Sequence, residues 1–121
     1  MAKFQRNGWH TVTPRIVVHD PKALIDFLKS VFHAQGEFCA GAPAEIRIGD
    51  SLVMVSDGGG LRELKPAFLY VYVDDTDSCY ERAIATSETT SLEAPRDMPY
   101  GDRRAMVRDR WGNTWQIATC K

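Results

Sequence analysis

The chain has 121 residues, of which 44% are hydrophobic, and this length and composition suit one domain with a sizeable core. Its formal net charge of −1 excludes the basic excess that a nucleic-acid-binding face requires. No apolar run approaches the length of about 20 residues that a membrane-spanning helix needs, and none near the N-terminus is long enough for a signal peptide. We therefore expect a cytoplasmic protein that binds neither nucleic acid nor a membrane.

The first half predicts a strand, a helix and three further strands. A strand at 12–18 leads into a helix that begins at Asp20-Pro21, because Asp suits the N-cap and Pro suits the first helical position. The helix ends near 34–36, and its apolar stripe consists of Leu24, Phe27, Leu28 and Val31. Short strands follow at 37–40, 44–48 and 52–56, and Gly49-Asp50 forms a hairpin turn between the last two.

The second half repeats this order after a glycine-rich linker at about 57–66. A strand at 68–73 and an N-cap from Asp74-Asp75-Thr76 precede a shorter helix with the stripe Tyr80, Ala83 and Ile84. A weak strand at 89–92 and a hairpin complete the set. The similarity of Ile16-Val17-Val18-His19-Asp20 to Tyr70-Val71-Tyr72-Val73-Asp74 supports an internal duplication.

The closing hairpin has one apolar face, on which Ala105, Val107, Trp115 and Ile117 alternate with polar residues. Its turn, Asp109-Arg110-Trp111-Gly112-Asn113, contains residues that tolerate positive φ. Together with Gly101-Asp102-Arg103-Arg104 and Trp115-Gln116-Ile117, it resembles the closing hairpin of the glyoxalase/bleomycin-resistance/extradiol-dioxygenase (vicinal oxygen chelate) superfamily. That turn usually reads Asp-Pro-x-Gly-Asn/His, and Arg110 replaces the Pro.

The resemblance covers about residues 11 to 119 and implies an α+β fold. Two βαβββ repeats, at about 11–57 and 67–119 of one domain spanning 1–121, would curve a mixed sheet around a concave cavity with the helices outside. We expect Phe27, Leu28, Trp115 and Ile117 to be buried under the helices. The resemblance also implies a homodimer, and the N-terminal aromatic residues Phe4 and Trp9, which have no predicted place within one unit, favour such a contact.

Metal-dependent members of the superfamily place two His and two Glu, or a close variant, on four cavity-facing strands. Carried over to this chain, the four positions are Thr13, Met54, Phe68 and Gln116. These side chains are poor ligands for a divalent ion, and a shift by one residue in either direction recovers no ligand set. The sequence therefore predicts no metal and no other cofactor.

Histidines and cysteines supply no alternative site. His10, His19 and His33 fall on different sides of the predicted fold, and relatives usually carry Gly at the last position. The cysteines are Cys39, Cys79 and Cys120; they form no Cys-x-x-Cys motif, which favours free thiols in a reducing compartment. Cys79 is expected on a helix, and no Cys–His pair suitable for nucleophilic catalysis is apparent.

Cavity-facing positions instead predict a pocket for an organic ligand. The predicted ligand-binding residues are Arg15, Met54, Phe68, Tyr70, Tyr72, Met106, Arg108 and Gln116; Thr13 and Ala118 share their face. Arg108 is the candidate for anion capture, because a guanidinium group suits carboxylate or phosphate. Two alternatives stay open: these side chains fill one another, and the cluster Arg103, Arg104, Arg108 and Arg110 forms a salt-bridged edge with Asp102 and Asp109.

We therefore expect a glyoxalase/bleomycin-resistance-like protein that binds a small anionic or aromatic molecule without a metal, while the sequence leaves open whether it catalyses a reaction. One alternative is a metal-dependent lyase, isomerase or dioxygenase with non-standard ligands. Another is a structural or interaction domain. The fold alone does not determine the function. Metal chemistry at Thr13, Met54, Phe68 and Gln116 would distinguish the enzyme from the ligand-binding protein, and the existence of a cavity would distinguish the ligand-binding protein from the structural domain.

Overall fold

The computed structural model describes residues 4–58 and 64–121. Its elements are β1 (Arg15–Val18), α1 (Pro21–Phe32), β2 (Ala44–Ile48), β3 (Ser51–Asp57), β4 (Phe68–Tyr72), α2 (Thr76–Ile84), β5 (Thr90–Asp97), β6 (Asp102–Arg108) and β7 (Thr114–Cys120). They form two open sheets of order β1-β3-β2 and β4-β7-β6-β5. In the first sheet β1 pairs in parallel with β3, and in the second β4 pairs in parallel with β7. The predicted α+β class and the two related modules are confirmed.

The first module contains fewer strands than predicted. The segment 37–40 is not a strand; Gln35 instead forms an isolated bridge with Arg47 through two backbone hydrogen bonds of 2.9 and 2.8 Å. Positive φ angles at Gly36 and Gly41 interrupt the extended backbone on either side of the predicted strand. β1 also begins later than predicted, at Arg15.

In the second module, β5 is longer than the predicted strand at 89–92. It continues to Asp97 through register shifts at Ser91/Glu93 and Glu93/Arg96, and Pro95 lies within the second shift. A bulge or an edge is where a strand tolerates proline. Of the predicted linker at 57–66, residues 59–63 lie outside the described residues, while Asp57 ends β3 and Lys65 bridges to Val17.

Both helices begin at the predicted aspartates. The Asp20 side chain accepts a hydrogen bond from the Ala23 N–H at 3.3 Å, and Asp75 accepts one from Ser78 at 3.2 Å. α1 ends at Phe32, before the predicted 34–36, because His33 adopts a left-handed conformation with φ 55°. Within the described ranges, neither helix is long and apolar enough to cross a membrane.

The sequence match pairs Asp20 with Asp74, but superimposing the two helix N-caps shifts this alignment by one residue. Asp20 is equivalent to Asp75 rather than Asp74, so Arg15 corresponds to Tyr70. The strand ladders agree, because Arg15 lies opposite Met54 and Tyr70 lies opposite Gln116 at equivalent places.

One hydrophobic core joins both modules. Leu28, Trp115 and Ile117 are fully buried and Phe27 is 7% exposed, as predicted. The Phe32 and Trp115 rings lie 5.3 Å apart between centroids. Because these aromatic and aliphatic groups come from α1 and β7, their burial connects the first helix to the second sheet.

The N-terminal segment departs from expectation at one of its two aromatic residues. Trp9 is buried within the chain, with the Arg6 guanidinium 5.4 Å from its ring centroid and the Gln5 amide donating to its carbonyl oxygen at 2.7 Å. Phe4, in contrast, is 85% exposed. Only Phe4 therefore lacks a place within one unit.

The closing turn is organised by the buried Asp109 carboxylate. Oδ1 accepts from the backbone N–H groups of Trp111 and Asn113, both at 2.9 Å. Oδ2 accepts from the Asn113 amide at 3.0 Å and from the Trp115 indole at 2.9 Å. The side-chain Oδ1 of Asn113 accepts from the Ala67 N–H at 2.9 Å, so the turn also positions the start of β4.

Candidate ligand-binding face

Most of the predicted ligand-binding residues lie on one surface, which we call the open face. It is the face of the sheet β4-β7-β6-β5 that points away from the buried Val107, Trp115 and Ile117. Strand pairing places Tyr70, Gln116 and Met106 in one row across three strands. The next row contains Phe68, Thr114 and Arg108, and the row on the other side contains Tyr72, Ala118 and Arg104.

Arg15 and Met54 lie on the other sheet, where they face each other across β1 and β3. The Arg15 Nε donates to the Ser56 hydroxyl at 2.9 Å, beside a pocket of about 460 Å³ that Phe38 and Pro43 also line. The structure thus divides the predicted set into two groups. A smaller crevice of about 260 Å³ runs between the sheets, and its lining includes Pro14, Ile48, Tyr70 and Tyr72.

The open face presents aromatic rings to solvent. Phe68 is 66% exposed and Tyr72 is 63% exposed, whereas Met106 and Gln116 are half-buried between neighbours. Arg108 is also exposed, and within the described part of the chain its guanidinium group has no hydrogen bond or ion pair. Apolar rings beside an unpaired cation are a chemistry that suits an organic acid.

At the other end of the open face, phenols converge on a buried carboxylate. Asp102 is 5% exposed, and its Oδ2 accepts hydrogen bonds from Tyr70 at 2.6 Å and from Tyr72 at 2.9 Å. The Tyr70 and Tyr100 hydroxyls are 3.2 Å apart. Partial burial and the hydrogen bond to Asp102 raise the pKa of Tyr70, and the same bond and partial burial raise the pKa of Tyr72, so both phenols stay protonated.

Sequence reasoning did not select Asp102 or Tyr100 as site residues, and it grouped Asp102 with an arginine edge. The signal for Asp102 was its alternation with Arg104 and Met106, which places it on the open face. Its contact with the tyrosines depends on the register between β4, β7 and β6, which the sequence alone did not supply.

Three of the four clustered arginines form ion pairs. Arg103 contacts Asp77 at 2.7 Å and Asp97 at 3.2 Å, and Arg104 pairs with Glu93. Arg110 lies 3.7 Å from Asp20 and stacks its guanidinium 4.6 Å from the Trp111 ring centroid. These three arginines therefore form ion pairs, but with other partners than the expected Asp102 and Asp109, and Arg108 is the member that stays unpaired among the described residues.

The metal that the fold family implies does not fit this donor set. The four ligand positions carry the hydroxyl of Thr13, the thioether of Met54, the ring of Phe68 and the amide of Gln116. Such a set supplies no anionic donor, although divalent ions in proteins are held by carboxylate, thiolate or imidazole groups. Across 4–58 and 64–121, no three His, Cys, Asp or Glu side chains come together as potential ligands.

The cysteines are free thiols in different surroundings. Cys39 and Cys120 are exposed, whereas Cys79 is buried on α2, as its sequence position predicted. Burial raises the pKa of the Cys79 thiol to about 11, and its Sγ donates to the Val31 carbonyl oxygen at 3.3 Å. Cys79 thus has a structural environment rather than a reactive one.

Comparison with solved structures identifies the architecture. The chain superimposes on TioX from Micromonospora sp. ML1 with a TM-score of 0.77 and 23% identity, covering 93% of this chain and 99% of that one. A glyoxalase/bleomycin resistance protein/dioxygenase family enzyme from Burkholderia phytofirmans gives a TM-score of 0.72 at 20% identity, covering 88% and 95%. The fold is that of the glyoxalase/bleomycin resistance protein/dioxygenase superfamily.

A further structural neighbour is more distant in sequence. The fosfomycin resistance protein FosX from Listeria monocytogenes, complexed with Mn(II) and sulfate, has a TM-score of 0.71 and 16% identity over 93% of this chain and 90% of that one. Uncharacterized proteins of Mycobacterium bovis (Mb0911c) and Mycobacterium tuberculosis (Rv0887c) are each 28% identical over 123 residues, covering 88% of this chain and 80% and 72% of theirs. No protein-family model matches the chain.

Proposed function

We propose that the protein binds, without a metal, a small organic molecule that carries an aromatic group and an acidic group, on the open face. The observation that carries this proposal is the row Phe68, Thr114 and Arg108, in which an exposed ring and an unpaired guanidinium lie on either side of one strand. Neighbouring strands are about 4.8 Å apart, so these two backbone positions are separated by about 10 Å.

This separation suits a ligand of modest size. Both positions lie on the same face of the sheet, on either side of β7, so a ligand with a ring against Phe68 and a carboxylate on Arg108 needs only a short link. Thr114 lies between them, and the Gln116 amide in the neighbouring row is a further polar group that can orient a ligand. The fosfomycin resistance proteins among the structural neighbours further support a small-molecule role for this fold.

A charge-removing substitution tests the proposal. A thermal-shift screen of aromatic carboxylates and phosphates selects a compound, and calorimetric titration measures its affinity for the wild type and for Arg108→Met. We expect Arg108→Met to fold normally and to lose about 1.5–3 kcal/mol of binding free energy, the typical value of a hydrogen bond to a charged group.

Arg110→Met is the matched control, because Arg110 is a nearby arginine that lies on the turn and contacts Asp20 and Trp111 instead. Its affinity should stay close to that of the wild type. Equal losses in both variants, or no loss in either, would contradict a role for Arg108 in recognition.

We also propose that the protein functions as a cytoplasmic homodimer. Phe4 is 85% exposed, and an exposed aromatic residue without a place within one unit is typical of an interaction surface. The free thiols are consistent with a reducing compartment. Light scattering at micromolar concentrations should give twice the mass of one chain, and a monomer mass across that range would refute the dimer.

A further inference from the structure

The carboxylate of Asp102 is buried without a cation. Among the described residues, no Lys, Arg or His nitrogen forms an ion pair with it, although the side chain is only 5% exposed. The hydrogen bonds from Tyr70 and Tyr72 both go to Oδ2, and Oδ1 has no partner in the described part of the chain. Buried charges are ordinarily paired with a cation, whereas this carboxylate is held by two phenols and its Oδ1 keeps some exposure to solvent.

Aromatic rings form the surroundings of this carboxylate. The Tyr70 and Tyr72 rings lie 5.4 Å apart between centroids at an interplanar angle of 62°, which makes two adjoining walls. Tyr100, 60% exposed, joins them through its hydroxyl. We call Tyr70, Tyr72, Tyr100 and Asp102 the tyrosine cage.

We propose that the tyrosine cage binds the ammonium group of a small organic cation. Ring faces attract cations through their quadrupole, and roughly perpendicular aromatic walls are the arrangement that recognises methylated ammonium groups. A phenol that donates a hydrogen bond to a carboxylate gains electron density in its ring, which strengthens that attraction. The negative charge of Asp102 lies at the hydroxyl end of two of the rings and adds to this attraction.

Neighbouring charges leave this end of the face suited to a cation. Arg104 is the nearest cation on the same strand face, but it is neutralised by Glu93 and donates its other terminal nitrogen to the Tyr100 hydroxyl at 3.3 Å. A hard metal ion is not the expected occupant, because it requires several oxygen ligands and the cage offers one carboxylate and phenols that remain protonated. A weakly hydrated organic ammonium requires only the rings and one charge.

The cage is separate from the proposed acid-binding row. Asp102 and Arg108 stand at opposite ends of β6, and six residues of strand span about 20 Å. The inference therefore does not depend on the function proposed for Arg108, and a titration of one end measures binding there independently of the other end.

Choline and its neutral isostere 3,3-dimethylbutan-1-ol provide the test, because they share a shape and differ in charge. Nuclear magnetic resonance titration at low salt follows the methyl protons of each compound and the tyrosine ring signals of the protein. We expect the choline methyl signals to move upfield, because they lie over the rings, and the neutral compound to bind about tenfold more weakly or worse.

Variants locate the site. Asp102→Asn and Tyr72→Leu should each weaken choline binding by about tenfold, because the first removes the charge and the second removes one wall. Asp97→Asn is the matched control: this exposed carboxylate lies near the same edge but pairs with Arg103 and Lys121, so binding should be unchanged. Circular dichroism checks the fold, and if Asp102→Asn unfolds, the solvent-exposed Tyr72→Leu carries the test.

Three outcomes overturn the proposal. They are equal binding of choline and its neutral isostere, absence of choline binding at tens of millimolar, and unchanged affinity in a folded Asp102→Asn or Tyr72→Leu protein. Selective choline binding that is lost in these variants and retained in Asp97→Asn supports it.

Discussion

The substitution Asp109→Asn isolates what the buried carboxylate contributes to the closing turn. The side chain keeps its shape, and the remaining oxygen can still accept from the backbone N–H groups of Trp111 and Asn113. The new amide group, however, directs N–H bonds toward the Asn113 amide and the Trp115 indole, which are themselves donors. Two hydrogen bonds are replaced by two donor–donor contacts.

The size of the effect follows from these two contacts. Trp115 and Asn113 are fully buried, so water does not replace the lost acceptor. A hydrogen bond to a charged group contributes about 1.5–3 kcal/mol, and the two lost bonds therefore predict a destabilisation of about 3–6 kcal/mol. Small domains have a total unfolding free energy of about 5–15 kcal/mol, so the variant should be close to its stability limit.

Urea denaturation followed by far-ultraviolet circular dichroism measures the change. Asp50→Asn is the control, because Asp50 also lies in a hairpin turn but is exposed, and among the described residues its side chain hydrogen-bonds only to the Ser51 hydroxyl, at 3.1 Å. The control should lose less than about 0.5 kcal/mol, as is usual for surface substitutions. A loss below about 1 kcal/mol in Asp109→Asn, with an unchanged urea slope, would refute the assignment of these hydrogen bonds.

Three further predictions follow from other parts of the chain. His33→Gly should stabilise the protein by about 0.5–1 kcal/mol in thermal unfolding, because His33 ends α1 with a left-handed backbone that Gly adopts without strain, and a lower melting temperature would contradict this. Hydrogen bonds from Arg103 lower the pKa of Asp77, and hydrogen bonds from Arg103 and Lys121 lower the pKa of Asp97. The stability that these bonds contribute is therefore present above the unfolded carboxyl pKa of 3.8, and it is lost as the pH falls through the lower pKa values of the folded protein. Arg103→Gln should accordingly reduce the acid sensitivity of the melting temperature, and an unchanged pH profile would argue against these pairs. Elemental analysis after purification without added metal should find far less than one Zn, Ni, Fe or Mn per chain, since the four family ligand positions lack anionic donors, and stoichiometric metal lost in a Gln116→Ala variant would overturn that reading.

The features predicted correctly from sequence are those that local chemistry decides. Asp20 and Asp75 accept the N-terminal hydrogen bonds of their helices, so capping residues alone located both helix starts. The alternation of Ala105, Val107, Trp115 and Ile117 located the apolar face of the hairpin, because a strand turns successive side chains to opposite sides.

The incorrect expectations concern segments whose structure depends on residues outside the segment. The segment 37–40 resembles a strand, but the bridge to β2 in this region is made by Gln35, before the segment, and positive φ angles at Gly36 and Gly41 prevent continuation of the ladder. Trp9 looks unaccommodated in sequence because its burial depends on how the N-terminal turn folds back on itself around Gln5 and Arg6. Neither arrangement leaves a periodic signal in the chain.

The tyrosine cage shows why a side-chain network is harder to predict than the strand that carries it. Ala118 was expected on the open face, yet it is fully buried there. Ala118 lies directly between Tyr72 on β4 and Arg104 on β6. Because the Tyr72 hydroxyl reaches Asp102 on β6, the phenol crosses β7 over a position whose side chain is only a methyl group. The convergence of the phenols on Asp102 thus requires two strand registers and one small residue at their intersection. Each of these is visible in the sequence by itself, but their coincidence exists only once β4, β7 and β6 are aligned.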